Sequence, residues 1–362
     1  MKRTITAVML LLGMTLTNFA QNAVATDDGM NDKAHQLFRQ GEKYMADYDL
    51  FHAIQWFEQS LNAQPSLKAT RRLAECHFKT GNYKQALHVA ATLPKDSLTH
   101  DDMRLHYFCH ARTKTLDSLI AWGNRIVGSF PMDAEVVADM ARHYNESEKP
   151  ALALQLTTEY WQHDSTNVYV NRQRGYAQYL NSLYHEAINT YEQQLARGDS
   201  SLIVLFPLGM SYYLTNDRPH AYERLKQAAR VSNFSNATCM AKLGIVATQM
   251  GRAKEGIEAL EKAIRLFTPE TEVMAMIYEN LGDAYLQDGK MKEGAEAYSH
   301  CLDHNPEKPY YIYYEMAQAY GALHDKASER KYLRLFLEET KKLKSLDGLE
   351  EAIQYAKRKT GT

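Results

Sequence analysis

Apolar and polar positions follow the spacing of amphipathic helices along most of the chain. Two such apolar runs recur in each stretch of about 34 residues, and a glycine breaks some stretches near the middle, at Gly81, Gly251 and Gly289. Glycine suits a tight turn, and a short turn makes the two flanking helices antiparallel neighbours. The pattern therefore predicts a series of helix pairs.

Small residues mark the same places in each stretch. A first column, with members 33 to 38 residues apart, is Gly or Ala at eight of nine positions: Gly41, Ala74, Tyr107, Ala141, Gly175, Gly209, Gly244, Gly282 and Ala317. A second column, twelve residues further on, is small at seven of nine: Ala53, Ala86, Leu119, Ala153, Ala187, Ala221, Gly256, Gly294 and Glu329. A third is mostly aromatic: Tyr44, His77, Tyr144, Tyr212, Tyr285 and Tyr320. Small residues let two helix backbones approach at a crossing.

These columns, with Pro65, Pro131 and Pro306 ending several copies, resemble the tetratricopeptide repeat family over roughly residues 34–343. The resemblance implies an all-α, right-handed solenoid of about nine stacked helix pairs. The copies near 98–131 and 310–343 fit poorly and are divergent. Residues 344–362 are expected to form a capping helix and tail, because Leu346, Leu349, Ile353 and Ala356 mark one apolar stripe.

The first 25 residues have the three parts of a secretory leader. Lys2 and Arg3 form a basic start, Ile5 to Leu16 is mostly apolar, and Ala23-Val24-Ala25 offers a small-x-small cleavage site. The apolar run is too short for a membrane span, so the mature chain is expected to have none. We expect residues 26–33 to form a flexible lead-in. We expect an exported protein of the periplasm or cell envelope.

Composition and motifs argue against an enzyme, a cofactor or a metal. The net charge of −2 does not favour nucleic acid. Asn189 stands where the helix starting at His185-Glu186 would need a second metal-binding histidine, and Gly282–Lys290 lacks the spacing of a phosphate loop. The recurring pairs Cys76-His77 and Cys109-His110 are expected to lie about 8–10 Å apart, too far for one ion.

The resemblance also implies which residues face inward. In the family the first helices of successive pairs line the concave face, with inward positions six and three before the first column and one, four and five after it. Arg71 and Arg142 have Glu75 and Glu146 one turn on and are expected to pair locally. Arg104 and Arg172 have Phe108 and Tyr176 instead, which is expected to leave their donor edges free for a partner carboxylate.

An aromatic patch on the same face is expected to complete the binding site. With Arg104 and Arg172, the expected ligand-binding residues are Tyr169, Tyr176, Tyr179, Phe206, Met210 and Tyr213. Most lie outside the packing columns, and exposed apolar clusters commonly mark interaction sites.

The inward residues favour a non-catalytic scaffold that binds an extended peptide or protein segment in the groove. One alternative is a cell-envelope glycan-binding protein that stacks sugars on the tyrosines. A structural spacer that meets its partners by its ends is the other.

Overall fold

The chain forms two compact units, Met1–Val170 and Asn171–Thr362, called here the N-terminal and C-terminal units. The computed structural model describes residues 30–266, 271–305, 307 and 309–361. The expected leader, residues 1–25, lies outside the described residues, as do residues 26–29 of the lead-in.

Helices make up both units. The N-terminal unit contains α1 Asp32–Ala46, α2 Leu50–Ala63, α3 Leu67–Lys79, α4 Tyr83–Ala90, α5 His100–Thr113, α6 Leu116–Ser129, α7 Ala134–Glu146 and α8 Pro150–Trp161. The division falls within α9 Val168–Leu180. The C-terminal unit continues with α10 Tyr184–Ala196, α11 Leu202–Leu214, α12 Arg218–Val231, α13 Ala237–Gln249, α14 Ala253–Leu266, α15 Thr271–Gln287, α16 Met291–His304, α17 Tyr310–Ala322, α18 Lys326–Thr340 and α19 Glu350–Thr360.

Neighbouring helices pack in pairs, and pairs pack on pairs. In the N-terminal unit α1 packs on α2, α3 on α4, α5 on α6 and α7 on α8, while α2, α4 and α6 each also contact the first helix of the next pair. The C-terminal unit repeats this arrangement from α11 to α18. The prediction of an all-α array of helix pairs is confirmed, and its right-handed sense stays a prediction. No helix among the described residues is long and apolar enough to cross a membrane.

The first column of small residues lies where the two helices of a pair cross. A Cβ added to Gly175 would lie 2.8 Å from the Tyr191 ring, and one added to Gly244 would lie 2.6 Å from Leu260. In each case the large residue stands sixteen positions after the small one. At the five glycines of this column the crossing is therefore built from one small and one large residue, which lets the backbones approach while the core stays filled.

The copy around Tyr107 reverses this arrangement. Tyr107 occupies the small column and is fully buried, and the residue sixteen positions later is Gly123. The Tyr107 hydroxyl donates a hydrogen bond to Asp139 of α7 at 2.9 Å. A Cβ on Gly123 would collide with the Met140 side chain. The copy that fitted the pattern poorly thus has its large residue in the first column and its glycine sixteen positions later, where Met140 of α7 takes the space.

We expect Ala187→Leu to lower the free energy of unfolding by about 2 kcal/mol through overpacking. Ala187 is fully buried in a cluster with Tyr191, Val204 and Leu208. Tyr184→Ala should cost much less, because Tyr184 lies at the first turn of α10 and is only partly buried. Chemical denaturation of the two variants measures both. A larger loss for Tyr184→Ala would mean that the alignment of the columns is wrong in this pair.

Every turn within a pair contains a residue with a left-handed backbone, seven positions after the first column. Three of these residues are the glycines noted above. The other six are Tyr48, Lys114, Glu148, Ser182, Asn216 and His324, with φ between 56° and 65°. Only glycine adopts this conformation without a steric cost, which for other residues is roughly 1–2 kcal/mol. The sequence pattern did not reveal these six positions, because their side chains vary freely.

Replacing Lys114 with glycine should therefore raise the free energy of unfolding of the N-terminal unit by about 0.5–1 kcal/mol. Lys114 is exposed and has a φ of 56°, so the relief of strain exceeds the extra freedom that glycine gives the unfolded chain. Lys84→Gly is the matched control, because Lys84 is also exposed but lies within α4. This variant should lower the free energy of unfolding by about 1 kcal/mol. Thermal unfolding of the two variants gives the comparison. If Lys114→Gly lost as much stability as Lys84→Gly, the backbone at Lys114 would not be strained.

The terminal helix α19 packs against α18. Its Ile353 and Ala356 join a core cluster with Leu333 and Phe336 of α18. Glu329, which interrupts the second small column, is buried, and its carboxylate accepts hydrogen bonds from the Tyr355 hydroxyl and the Lys359 ammonium, both at 2.9 Å. This departure from the repeat pattern therefore holds α19 in place.

Candidate functional site

The N-terminal unit contains an open pocket of about 860 Å³ on one face of α3 and α5. These are the first helices of two consecutive pairs, and they pack against each other. The lining residues come from both helices and from the N-terminal ends of α5 and α7: Lys68, Arg71, Arg72, Glu75, Phe78, Lys79, Thr99, Asp101, Asp102, Arg104, Leu105, Phe108, Arg112 and Glu135. Ten of them occupy the inward positions that the resemblance implies, so the pocket belongs to the inner face.

The apolar part of this inner pocket's lining consists of Phe78, Leu105 and Phe108, and these three residues are called its floor. Each is partly buried. The Arg104 guanidinium lies 5.2 Å from the centre of the Phe108 ring, as expected from their spacing on the helix. These side chains are held by the helices themselves and not by loops, so the floor is formed before any ligand arrives.

Arg71 and Arg104 tie each first helix to the start of the next one. The Arg71 Nε donates to Asp102 of α5 at 2.9 Å, and its Nη2 donates to the Ser97 carbonyl at 2.7 Å. Arg104 Nη1 donates to both oxygens of Asp133, the N-cap of α7, at 2.5 and 2.6 Å, and Nη2 donates to Glu135. These contacts fix the walls of the pocket.

Asp133 is a well-buried member of this network. Burial opposes its ionisation, but hydrogen bonds from Arg104 and from the Val136 N–H outweigh that effect and hold its pKa below the usual value. The network raises the pKa of Arg104, although burial acts against the charged form there too. Both groups therefore stay charged and paired at neutral pH.

The same contact occurs in the C-terminal unit. Arg172 Nε and Nη2 donate to the two oxygens of Asp199 at 2.7 and 3.0 Å. The expectation that Arg104 and Arg172 present free donor edges is therefore wrong, because carboxylates of their own unit occupy those edges.

The local pairing expected for Arg71 is also wrong. Glu75 accepts instead from Arg72 at 2.8 Å and from Lys79 at 2.8 Å. The pairing expected between Arg142 and Glu146 is confirmed at 2.8 Å.

The lining residues of the pocket carry more positive than negative charge, although Asp133 and Glu42, outside the lining, pair with Arg104 and Arg72. Its lining has six cationic side chains and four carboxylates, a difference of +2. Arg112 is exposed and makes no ion pair with any described residue. The Lys68 ammonium is exposed as well and lies 5.3 Å from the Phe38 ring centre. Lys68, Phe78 and Arg112 stand at inward positions but were not named as binding residues from the sequence, and Leu105 lies outside those positions.

The aromatic residues expected at the site differ in exposure. Tyr176 is exposed, and its ring stacks on Tyr179 with centroids 6.1 Å apart. Phe206 and Tyr213 are partly buried against the core of the C-terminal unit, and the Arg218 guanidinium covers the Tyr213 ring at 4.6 Å. Met210 is buried in that core, so its proposed contact with a ligand is wrong. Tyr169 is exposed in the N-terminal unit.

The described residues contain no group of three or more His, Cys, Asp or Glu side chains that could hold a metal ion. The four cysteines are free thiols in the core. Burial raises the pKa of Cys76 to about 11 and that of Cys109 to about 12, which leaves both protonated and unreactive at neutral pH.

One protein-family model matches part of the chain. The family model described as tetratricopeptide repeat matches residues 242–309, which run from within α13 to the start of α17. No curated protein matches the chain.

Several solved structures resemble the chain in part. A MamA protein has 21% identity over 48% of this chain and 93% of its own, with a TM-score of 0.41. YrrB, described as a protein of this repeat type with an unusual peptide-binding site, has 16% identity over 57% of this chain and 97% of its own, with a TM-score of 0.46. A tetratricopeptide repeat protein from Parabacteroides merdae has 11% identity over 80% and 99%, with a TM-score of 0.45. Likenesses this distant do not bear on the ligand.

Proposed function

We propose that this chain, a tetratricopeptide repeat protein by its match over residues 242–309, is a non-catalytic scaffold that binds an extended segment of a partner protein in the inner pocket. The observation that carries the proposal is the pocket itself: about 860 Å³, with an apolar floor and two lining cations, Lys68 and Arg112, that make no ion pair with a described residue. Repeats of this kind serve as protein-interaction scaffolds, and the pocket supplies a place for the partner.

The pocket chemistry indicates what the segment carries. Phe78, Leu105 and Phe108 favour one or two large apolar side chains. Arg112 and Lys68 at the rim favour a nearby carboxylate, since neither is committed to an ion pair. A segment with an aromatic residue beside an acidic one therefore fits best.

The anchored walls make such binding less costly. Arg71 and Arg104 are already fixed by Asp102 and Asp133, so they lose little freedom when a ligand arrives. A site with a preorganised wall keeps more of its contact energy as affinity.

We also propose that the scaffold works outside the cytoplasm, in the periplasm or cell envelope. The support is the three-part leader pattern of residues 1–25. N-terminal sequencing of the protein from its native host is expected to start near Thr26. A soluble cytoplasmic form that retains residues 1–25 would overturn this part of the proposal.

A photoreactive side chain in the pocket tests the docking site. We expect p-benzoylphenylalanine at position 78 to cross-link a partner protein in the native host, because Phe78 lies on the pocket floor. The same group at His88, exposed on the second helix of that pair, is the control and should give no adduct. Adding Arg112→Glu should remove the adduct at position 78 while leaving thermal unfolding unchanged.

The competing functions predict different results in this experiment. A glycan-binding protein would give no protein adduct at position 78, and would lose glycan binding with Tyr176→Ala, the exposed ring of the C-terminal unit. A spacer would cross-link from its ends and not from Phe78. Either result would replace the proposed function.

A further inference from the structure

The first turn of the chain exposes two aromatic side chains. Tyr48, between α1 and α2, is 84% exposed, and Phe51, at the start of α2, is 68% exposed. Both lie in the N-terminal unit, three residues apart. They are more exposed than the other large apolar side chains that the structure describes. Residues 47–51 are called the aromatic turn below.

Tyr48 also has a strained backbone. Its φ is 59°, in the left-handed region that bulky residues avoid. The equivalent positions of the other eight turns hold glycine or a polar residue: Gly81, Lys114, Glu148, Ser182, Asn216, Gly251, Gly289 and His324. The Tyr48 ring is exposed, so its burial does not offset the cost of this backbone conformation. Folding alone therefore does not explain a large aromatic residue here. Strain of this kind is commonly retained at sites that bind.

Acidic side chains flank the two rings. Asp47 and Asp49 stand on either side of Tyr48, and Asp47 is exposed. Asp49 caps α2 by accepting from the His52 N–H at 3.2 Å, and its second oxygen contacts the His52 ring nitrogen at 2.7 Å. The aromatic turn therefore offers two aromatic rings beside two carboxylates.

This chemistry complements the inner pocket of the same unit. The pocket has an apolar floor of Phe78, Leu105 and Phe108, and the lining cations Lys68 and Arg112 make no ion pair with a described residue. No residue of the aromatic turn is among the pocket lining, so the turn does not fill the pocket of its own copy. The two surfaces are matched in charge and in apolar character, and each remains open.

We propose that the aromatic turn of one copy docks into the inner pocket of a second copy of this chain. The inference rests on the proposed function, because it requires that the pocket accepts a protein segment. Tyr48 and Phe51 contact the pocket floor, and Asp47 lies near Arg112 and Lys68. Reciprocal docking of two turns into two pockets closes a two-fold dimer with an isologous interface. Docking in one direction is a heterologous contact and extends a chain of copies.

Sedimentation velocity of the mature protein, over a wide range of concentration, tests the assembly. The parent chain should associate as its concentration rises. The turn variant Tyr48→Ser/Phe51→Ser and the pocket variant Lys68→Glu/Arg112→Glu should each weaken association at least about tenfold, since aromatic anchors carry much of a contact. Met132→Ser/Leu152→Ser is the matched control, because it removes two exposed apolar side chains elsewhere in the unit and should leave association unchanged.

Mixing the two variants gives the sharper result. The turn variant keeps an intact pocket, and the pocket variant keeps an intact turn, so an equimolar mixture should form a one-to-one complex that neither variant forms alone. A parent chain that stays monomeric at all concentrations would overturn the proposal, and so would a mixture that stays dissociated.

A synthetic peptide separates this proposal from the proposed function. The peptide ADYDLFHA, residues 46–53, should bind the full chain in fluorescence anisotropy, compete with assembly and fail to bind the pocket variant. If the peptide does not bind while the cross-link at position 78 to another protein persists, self-docking is wrong and the proposed function stands. If peptide and cross-link both fail, the pocket does not take protein segments and both are wrong.

Discussion

Replacing Gly244 with leucine is expected to lower the free energy of unfolding of the C-terminal unit by about 3 kcal/mol, near the upper end for overpacked cores. A Cβ at this position would lie 2.6 Å from Leu260 and 3.1 Å from the Gly256 carbonyl oxygen. The second contact is with backbone, which cannot rotate away, so α13 and α14 must move apart. For a unit of this size the loss corresponds to about 6–12 °C in Tm.

Gly128→Leu is the matched control for this prediction. Gly128 lies near the end of α6, and a Cβ added there would meet nothing within 4 Å. Leucine also forms helix more readily than glycine, so Gly128→Leu should leave Tm unchanged or raise it. Calorimetry of the two variants gives the comparison, and hydrogen exchange locates the loss. Similar values of Tm for the two variants would mean that α13 and α14 do not cross closely.

Arg104→Ala is expected to lower the free energy of unfolding of the N-terminal unit by about 3 kcal/mol. Its removal leaves the Asp133 side chain, only 3% exposed, without its main cationic partner. Breaking a buried ion pair from one side commonly costs 3–5 kcal/mol, and the lower value applies because Arg104 is itself 26% exposed. Arg112→Ala is the control, since Arg112 is exposed and forms no ion pair among the described residues, and should change stability by less than about 0.5 kcal/mol.

Acid should reduce the difference between Arg104→Ala and the parent chain. The pKa of Asp133 is held below its usual 3.8, so the pairing contributes stability above that pH and loses it as the pH falls further. Thermal unfolding of both proteins from neutral pH into this range gives the measurement. A difference that stays constant in acid would show that Arg104 acts through packing and not through its charge.

Much of the fold could be predicted because helix crossings constrain the sequence locally. Gly175, Gly244 and Gly282 are small for a reason that repeats in every pair, so the period and the pairing were visible in the chain. The small-for-large exchange at Tyr107 was not visible, because it needs a comparison of positions sixteen apart. The left-handed turns were hidden for another reason: their constraint falls on the backbone, and residues as different as Tyr48 and Ser182 meet it.

The candidate site could be predicted only in part. The inward positions that the family resemblance implies identified the pocket face. The partners of Arg104 and Arg172 could not be identified, because Asp133 and Asp199 lie 29 and 27 residues further on. Asp133 is the N-cap of α7, and Asp199 lies in the connection before α11. No short-range rule of helix pairing reaches so far. Met210 was misplaced because a position one residue after a buried glycine can face either the core or the groove.

The reversed pair of Tyr107 and Gly123 limits how this array can be rearranged by recombination. A duplication or deletion with endpoints between pairs carries a large residue and its small counterpart together, and the crossing survives. An endpoint inside a pair separates them. A first helix with Tyr107 would then meet a second helix with tyrosine or leucine at the crossing, or a first helix with glycine would meet Gly123 and leave a void. Whole pairs are therefore the modules by which this chain can grow or shrink, and single helices are not.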